Sequence, residues 1–344
     1  MDLLTKLVYT YVHQKTIKET IMKFIDMHCD TLMPFAREKD YSIYSNNKQV
    51  DFLKMQKGDA LAQFFAVFFP KMEHFTKQGI EMNDDLYFKL LTEGFYRDVE
   101  KHNDIIAFAG NAADIEKNNK DGKMSAILSI EDGRFINGDL DKIKMVYDRG
   151  VRAISLTWNF ENCFGWPNSL DKEIMNKGLK EFGIEAIQYM NDLGIIVDVS
   201  HLSDGGFYDV AKYSKKPFVA THSNARAVSP HQRNLTDDMI RVLGETGSVT
   251  GLNFCPEFMD ADITAKHTPI SNIVKNAKHI VNIGGIDCLG IGTDFDGIGG
   301  TQEISDSSML PLLWDALKKE GFHESEIEKI SHGNVLRVIR ESMK

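Results

Sequence analysis

His28 and Asp30 stand two residues apart in the stretch FIDMHCDT, Phe24 to Thr31, directly after a short apolar run. In a strand, side chains alternate between faces, so residues two apart point the same way. An imidazole and a carboxylate sharing one face at a strand end are half of a metal site. On their own they also fit a surface turn that happens to hold a histidine. Whether other strands bring the missing ligands separates the two readings.

Several other apolar runs also finish in ionisable side chains. MSAILSIEDG finishes in Glu131 and Asp132, GIIVDVSH in His201, PFVATHS in His222, and CLGIGTDFDG in Asp294 and Asp296. The starts of these runs carry nothing comparable. Each residue has an ordinary explanation when taken alone. A lone histidine after a strand is more often a hydrogen-bonded core or loop residue, EDG reads as turn chemistry, and Asp294 and Asp296 fit helix caps. A metal centre accounts for all of them together. An open catalytic zinc site needs about three protein ligands, so three histidines and two carboxylates are too many for one ion. Two ions about 3.5–4 Å apart that share a carboxylate fit better. Glu131 is the natural bridge, with two oxygens and a place on a middle strand. His28 and Asp30 would hold one ion, and His201 and His222 the other. Asp294 remains as acceptor and donor of a proton. The ligand set suits zinc, manganese and cobalt alike. The other eight histidines, such as His13, His74, His102 and His323, are read as surface residues, with His231 left open because it lies near the site.

The elements that must carry these residues alternate along the chain. Strand candidates cover 24–29, 62–69, 124–131, 151–158, 194–201, 217–223, 247–254 and 288–295. Stretches with apolar spacing of three and four separate most of them, for example NDDLYFKLLTEGFYRDVEKH, GIEAIQYMNDL, TDDMIRVLGET and SNIVKNAKHIVNI. Near-continuous apolar strands alternating with helices predict a parallel sheet. Eight such units predict a closed (β/α)8 TIM-type barrel, in which all C-terminal strand ends meet on one rim. DIIAFAG (104–110) is an extra strand or a peripheral excursion. No G-x-G-x-x-G opens a helix after a strand, which removes the main support for a dinucleotide fold. The last helices, from SMLPLLWDALKKEG onward, are expected to complete the outer ring. Residues 1–22 read as a short helical extension, and 23–344 as a single domain.

Composition excludes several classes. The chain has 344 residues, 42% of them apolar, so a full core can be buried. It carries 50 acidic and 40 basic residues with no long basic run, which argues against nucleic acid. The four cysteines form no C-x-x-C pair and no disulfide framework. No signal peptide and no apolar run long enough for a membrane is visible. The expectation is a cytoplasmic protein, with a homodimer compatible with the sequence.

The motifs DMHCDT, SIEDG, VDVSHLSD, THSNARAVSPHQRN and GIGTDFDG, in this order, resemble the membrane (renal) dipeptidase family of zinc metallopeptidases, which is amidohydrolase-like. The resemblance runs from about Phe24 to the C-terminus, where HGNVLRV looks like the closing helix. It implies a (β/α)8 barrel with two zinc ions and a metal-bridged hydroxide that attacks the peptide bond of a dipeptide. His28, Asp30, Glu131, His201 and His222 take the metal positions, with Glu131 bridging. Arg233, in HQRN, falls where the family binds the substrate carboxylate, and Asp294 on its proton-transfer residue. The implied substrates extend to dipeptides with a D-residue in second place. One position departs. In ISLTWNFENCFG the family's histidine after LT is Trp158, which can donate one hydrogen bond but cannot become a cation. Stabilisation of the oxyanion then falls on the metal or on neighbouring Asn159 or Asn162. The alternatives are another binuclear amidohydrolase, of lactonase, deacetylase or phosphotriesterase type, or a non-catalytic metal-binding barrel. The first often bridges its metals with a carboxylated lysine, and no lysine ends a strand in the required place. Asp294 speaks against the second. The family's animal members carry a lipid anchor; no apolar C-terminal tail is present to predict one here.

Overall fold

The structure, a computed structural model, describes residues 22–344. The helical extension expected over 1–22 therefore lies, apart from Met22, outside the described residues. Eleven strands follow in chain order: β1 (Phe24–Asp26), β2 (Ala60–Phe68), β3 (Ile106–Phe108), β4 (Met124–Glu131), β5 (Val151–Ser155), β6 (Ile196–Asp198), β7 (Val219–Ala220), β8 (Val249–Leu252), β9 (His267–Thr268), β10 (Leu289–Ile291) and β11 (Thr301–Gln302). The ring runs β2-β1-β10-β8-β7-β6-β5-β4, and β4 pairs back onto β2 to close it. Every pairing in it is parallel. The expected eight-stranded (β/α)8 barrel is the observed fold.

DIIAFAG contains the extra strand, β3, which pairs with β4 but does not enter the ring. β2 fills one edge of β4 along its length. On the other edge β3 takes Met124–Ala126 and β5 takes Leu128–Ile130. β3 thus lies outside the ring, below β5. β9 and β11 form a separate parallel pair that ties the loop after β8 to the loop after β10 at the rim.

Local chemistry sets the helices between strands. In Asp237–Thr246 the Thr236 hydroxyl accepts from the Met239 N–H, an N-cap. Met239, Ile240 and Leu243 form its buried face, and Gly247 ends it in the left-handed region at φ 69°. Asp84–Lys101, Glu181–Leu193 and Ile270–Gly284 likewise fall on the predicted stretches.

The last helix corrects one expectation. Asn334–Ser342 does not join the outer ring. Val335, Val338 and Ile339 cluster with Ala62, Phe64, Ile127, Ala153, Ile196, Val219 and Val249, the inward residues of the strands. Its polar side chains reach carbonyls at strand starts: Asn334 to Leu289, Arg337 to Gly247 and Ser342 to Pro217. The helix lies across the N-terminal mouth of the barrel and seals it. The opposite mouth is left for chemistry.

Candidate metal centre

The strand ends deliver their side chains to one point. His28 Nε2 lies 3.4 Å from Asp30 Oδ2 and 3.4 Å from Glu131 Oε2. His201 Nε2 lies 3.0 Å from Glu131 Oε1, and His222 Nε2 lies 3.8 Å from the same oxygen. Glu131, the last residue of β4, thus turns one oxygen to each of two histidine groups. Asp294 Oδ1 is 3.9 Å from His28 Nε2. All six side chains are buried. Their ligand atoms form three sets close enough to hold an ion: His28, Asp30 and Glu131; Glu131, His201 and His222; His28, His222 and Asp294.

Local backbone serves this convergence. His201 and Asp294 adopt φ of 67° and 62°, a left-handed conformation uncommon outside glycine and found where function constrains the chain. At Gly297 a β-carbon would run into the carboxylates of Asp30 and Asp294, so only glycine lets this loop approach the centre.

The donor set fits a cation. His201 Nδ1 bonds to Asn159 Oδ1 at 3.1 Å, and His222 Nδ1 to Thr221 Oγ1 at 2.7 Å. With the ring protons there, both Nε2 lone pairs face Glu131 Oε1 and each other, 3.1 Å apart. Three electron pairs converging without a proton call for a positive charge. His28 Nε2 and Asp30 Oδ1 are buried with no hydrogen-bond partner among the described residues. Titration shifts agree. Burial, then the Asp30 charge, pushes Glu131 up to about 8. Burial also drives Asp294 up to about 6, against the pull of His28. His201 and His222 lie well below the usual histidine range, burial first and then neighbouring positive charge. Burial lowers His28 too, but Glu131 and Asp30 outweigh it and hold it well above. A cation relieves these stresses by taking the place of the missing positive charge.

A cavity of about 290 Å3 opens over the cluster, at the small end of the ~300–1,000 Å3 range of ligand pockets. Glu131, His201 and Asp294 form its floor, and Phe68, Trp158, Phe258 and Ile298 its apolar walls. Trp158 meets Phe68 edge-on at 4.9 Å. Arg233 is buried beside it, 5.4 Å from the Phe258 ring. Two of its nitrogens hold Ser223 Oγ and the His222 carbonyl, while its Nε has no partner. Two wider grooves, of about 730 and 570 Å3, lie on helices and contain none of these residues.

Some candidates stand apart. Asp132 caps the turn at Arg134 and accepts from Asn162, so Asn162 serves structure and does not line the cavity. Asp296 holds Thr31 and the backbone of Gln49 and Val50. His231 accepts from the Arg233 N–H and packs on Phe258, outside every ligand set. Other residues were not singled out from sequence. Asn253 donates to Asp294 Oδ2 at 2.8 Å; its place at the end of GSVTGLNF was the available signal. Asp198 and Thr221, beneath His222, gave no signal in their apolar runs.

A parallel barrel with a buried histidine–carboxylate cluster at its C-terminal rim defines a metal-dependent hydrolase. The family model described as membrane dipeptidase (peptidase family M19) matches residues 14–344, and the chain belongs to that family. It is a hydrolase of the metallo-dipeptidase class. A Klebsiella pneumoniae protein encoded in the pqqA 5' region is 36% identical over 237 residues, 67% of this chain and 86% of its own length. An uncharacterized dipeptidase of Schizosaccharomyces pombe is 30% identical over 299 residues, 85% of this chain and 72% of its own. Among solved structures, a Rhodobacter sphaeroides metallopeptidase liganded with a phosphinate mimic of L-Ala-D-Ala superposes with a TM-score of 0.84 at 26% identity, covering 94% of this chain and 99% of its own. Among the described residues, no helix is long and apolar enough to cross a membrane.

Proposed function

We propose that the chain hydrolyses the peptide bond of dipeptides, L,D-dipeptides included, with two divalent metal ions, zinc by preference. The observation that carries this is Glu131, whose two oxygens face two separate histidine groups. His28, Asp30 and Glu131 would hold one ion, and Glu131, His201 and His222 the other. Bound there, such ions acidify water toward neutral pKa and polarise a carbonyl. The chain's own groups do the rest. Arg233 receives the C-terminal carboxylate, which restricts substrates to short ones. Asn253 pins one oxygen of Asp294 and leaves Oδ1 toward the centre. That oxygen takes the proton of the attacking water and hands it to the leaving amine, as the carbon–oxygen bond forms and the carbon–nitrogen bond breaks. The L-Ala-D-Ala mimic in the Rhodobacter relative supports a D-residue in second place. The deciding experiment is a panel of L,L and L,D dipeptides, assayed with zinc-reconstituted protein and again with a chelator. No turnover of any dipeptide by protein carrying its metal would overturn the reading.

Arg233 acts on a group charged in both ground and transition states. Arg233→Met is therefore expected to raise KM, with a smaller effect on kcat. Amidated dipeptides are expected to be poor substrates for the parent. Equal KM for free and amidated substrates would remove Arg233 from this role.

Trp158 and Asn159 border the cavity from the β5 side, while Arg233, in the loop after β7, is buried against Phe258 in its wall. A dipeptide anchored at Arg233 lays its first side chain against Trp158 and Phe68. An aromatic pair contributes ~0.5–1.5 kcal/mol beyond area burial. Trp158→Ala should therefore lower kcat/KM for Phe-Ala about two- to twelve-fold more than for Gly-Ala. Equal losses would place the first side chain elsewhere.

A further inference from the structure

The buried group beneath His222 has no part in the chemistry above, yet its hydrogen bonds form a complete chain. Asp198 Oδ1 accepts from the N–H groups of Ser200 and Thr221, each at 2.9 Å. Its Oδ2 accepts from the hydroxyls of Ser155 and Thr221, the latter at 2.6 Å. Four donors occupy the carboxylate, which is the capacity of its two oxygens. Thr221 has one hydroxyl proton, and Asp198 has taken it. The contact of Thr221 Oγ1 with His222 Nδ1, 2.7 Å, needs a proton too. Only the imidazole can supply it. Ser200 completes the count: its oxygen accepts from the His222 N–H at 3.1 Å and lies 3.2 Å from Thr221 Oγ1, which has a lone pair left.

We propose that Asp198 and Thr221 are positioning residues that lock His222 in the Nδ1–H form and so aim the Nε2 lone pair at the metal. The inference rests on His222 being a metal ligand, as proposed above. A carboxylate commonly holds a metal-binding histidine directly, and loss of such a partner costs about 10–100-fold in metal affinity. Here a threonine hydroxyl is inserted between the two. The insertion needs a fixed hydroxyl, and the barrel provides it. The Thr221 N–H is bound to Asp198, and its carbonyl is so close to Gly251 and Gly292 that a β-carbon on either would collide with it. The related pair in β1 and the loop after β10 differs in one way. Asp26 also accepts from the hydroxyl and N–H of a threonine, Thr293, but that hydroxyl accepts from the Phe295 N–H, not from a ring. Among the described residues, a chain from a carboxylate through a hydroxyl to an imidazole is found at His222.

Thr221→Val keeps the shape and removes the hydroxyl; Thr221→Ser restores it. Nitrogen-15 shifts of the histidine rings in metal-free protein should show His222 protonated at Nδ1 in the parent and in Thr221→Ser, and a shift toward the Nε2–H form in Thr221→Val. Zinc titration against a chromophoric chelator should show the second ion weakened about 10–100-fold in Thr221→Val, with the first unchanged and the Ser variant close to the parent. Should Thr221→Val not fold, Asp198→Asn offers the same test, because an amide nitrogen facing Thr221 turns its hydroxyl toward the ring. An unchanged tautomer, or equal zinc loss in the Val and Ser variants, overturns the proposal. A parent that binds no zinc while keeping the Nδ1–H form would overturn the metal reading alone.

Discussion

Glu131→Gln protein, reconstituted with excess zinc, is expected to hold at most one ion per chain and to lose nearly all turnover while keeping its fold. Parent protein treated the same way should approach two. The substitution keeps the shape and removes the charge. Two doubly charged ions ~4 Å apart repel by about 4 kcal/mol even at the dielectric of water, and by more in a buried site. Glu131 is the only side chain common to the sets built on His28 and Asp30 and on His201 and His222. Its oxygens stand 3.4 Å from His28 and 3.0 Å from His201. A glutamine offers one oxygen to one side and turns an amide N–H toward the other, where a lone pair was needed. Metal analysis and a dipeptide assay on both proteins decide the matter. A parent value of one at saturating zinc sinks the two-ion reading, and near-normal activity in the variant would put the bridge elsewhere.

The ring of candidate ligands was legible because ionisable residues ended apolar runs and nothing comparable began them. The strands themselves were over-read. The run 217–223 yields a strand of only Val219–Ala220, and 194–201 only Ile196–Asp198. Beyond those points the chain leaves the ladder to turn His201 and His222 into the centre, and the left-handed φ of His201 is part of that departure. Pattern alone does not reveal where a strand surrenders its pairing to function. The final helix was misplaced for a related reason. Its apolar stripe is what any barrel helix presents, and only closure of the ring determines that Val335, Val338 and Ile339 fill the bottom mouth. Asp198 was invisible because a lone acid inside an apolar run shows nothing of its partners. Its role follows from counting donors, and donors are counted in space. Trp158 was legible as a departure, since a family motif surrounds it; its pairing with Phe68, ninety residues earlier, was not.

Asp294→Asn is expected to lower kcat by ~10²–10⁴-fold, the usual range for loss of a general acid–base group, with both ions retained and KM nearly unchanged. The substitution is close to isosteric, and asparagine is among the residues that tolerate the left-handed backbone at φ 62°. What changes is the oxygen left toward the centre. Asn253 already donates to Oδ2, so an asparagine can keep that bond with its own oxygen and must then present an amide nitrogen where Oδ1 stood. That nitrogen cannot accept the proton of the attacking water. Arg233→Met supplies the contrast, since it is expected to weaken binding and to leave proton transfer in place. Measuring kcat and KM for one dipeptide in both variants, with metal content in parallel, separates the two roles. Asp294 Oδ1 also falls within a ligand set with His28 and His222. Loss of an ion from Asp294→Asn in excess zinc would therefore make Asp294 a ligand and leave the proton without its proposed carrier.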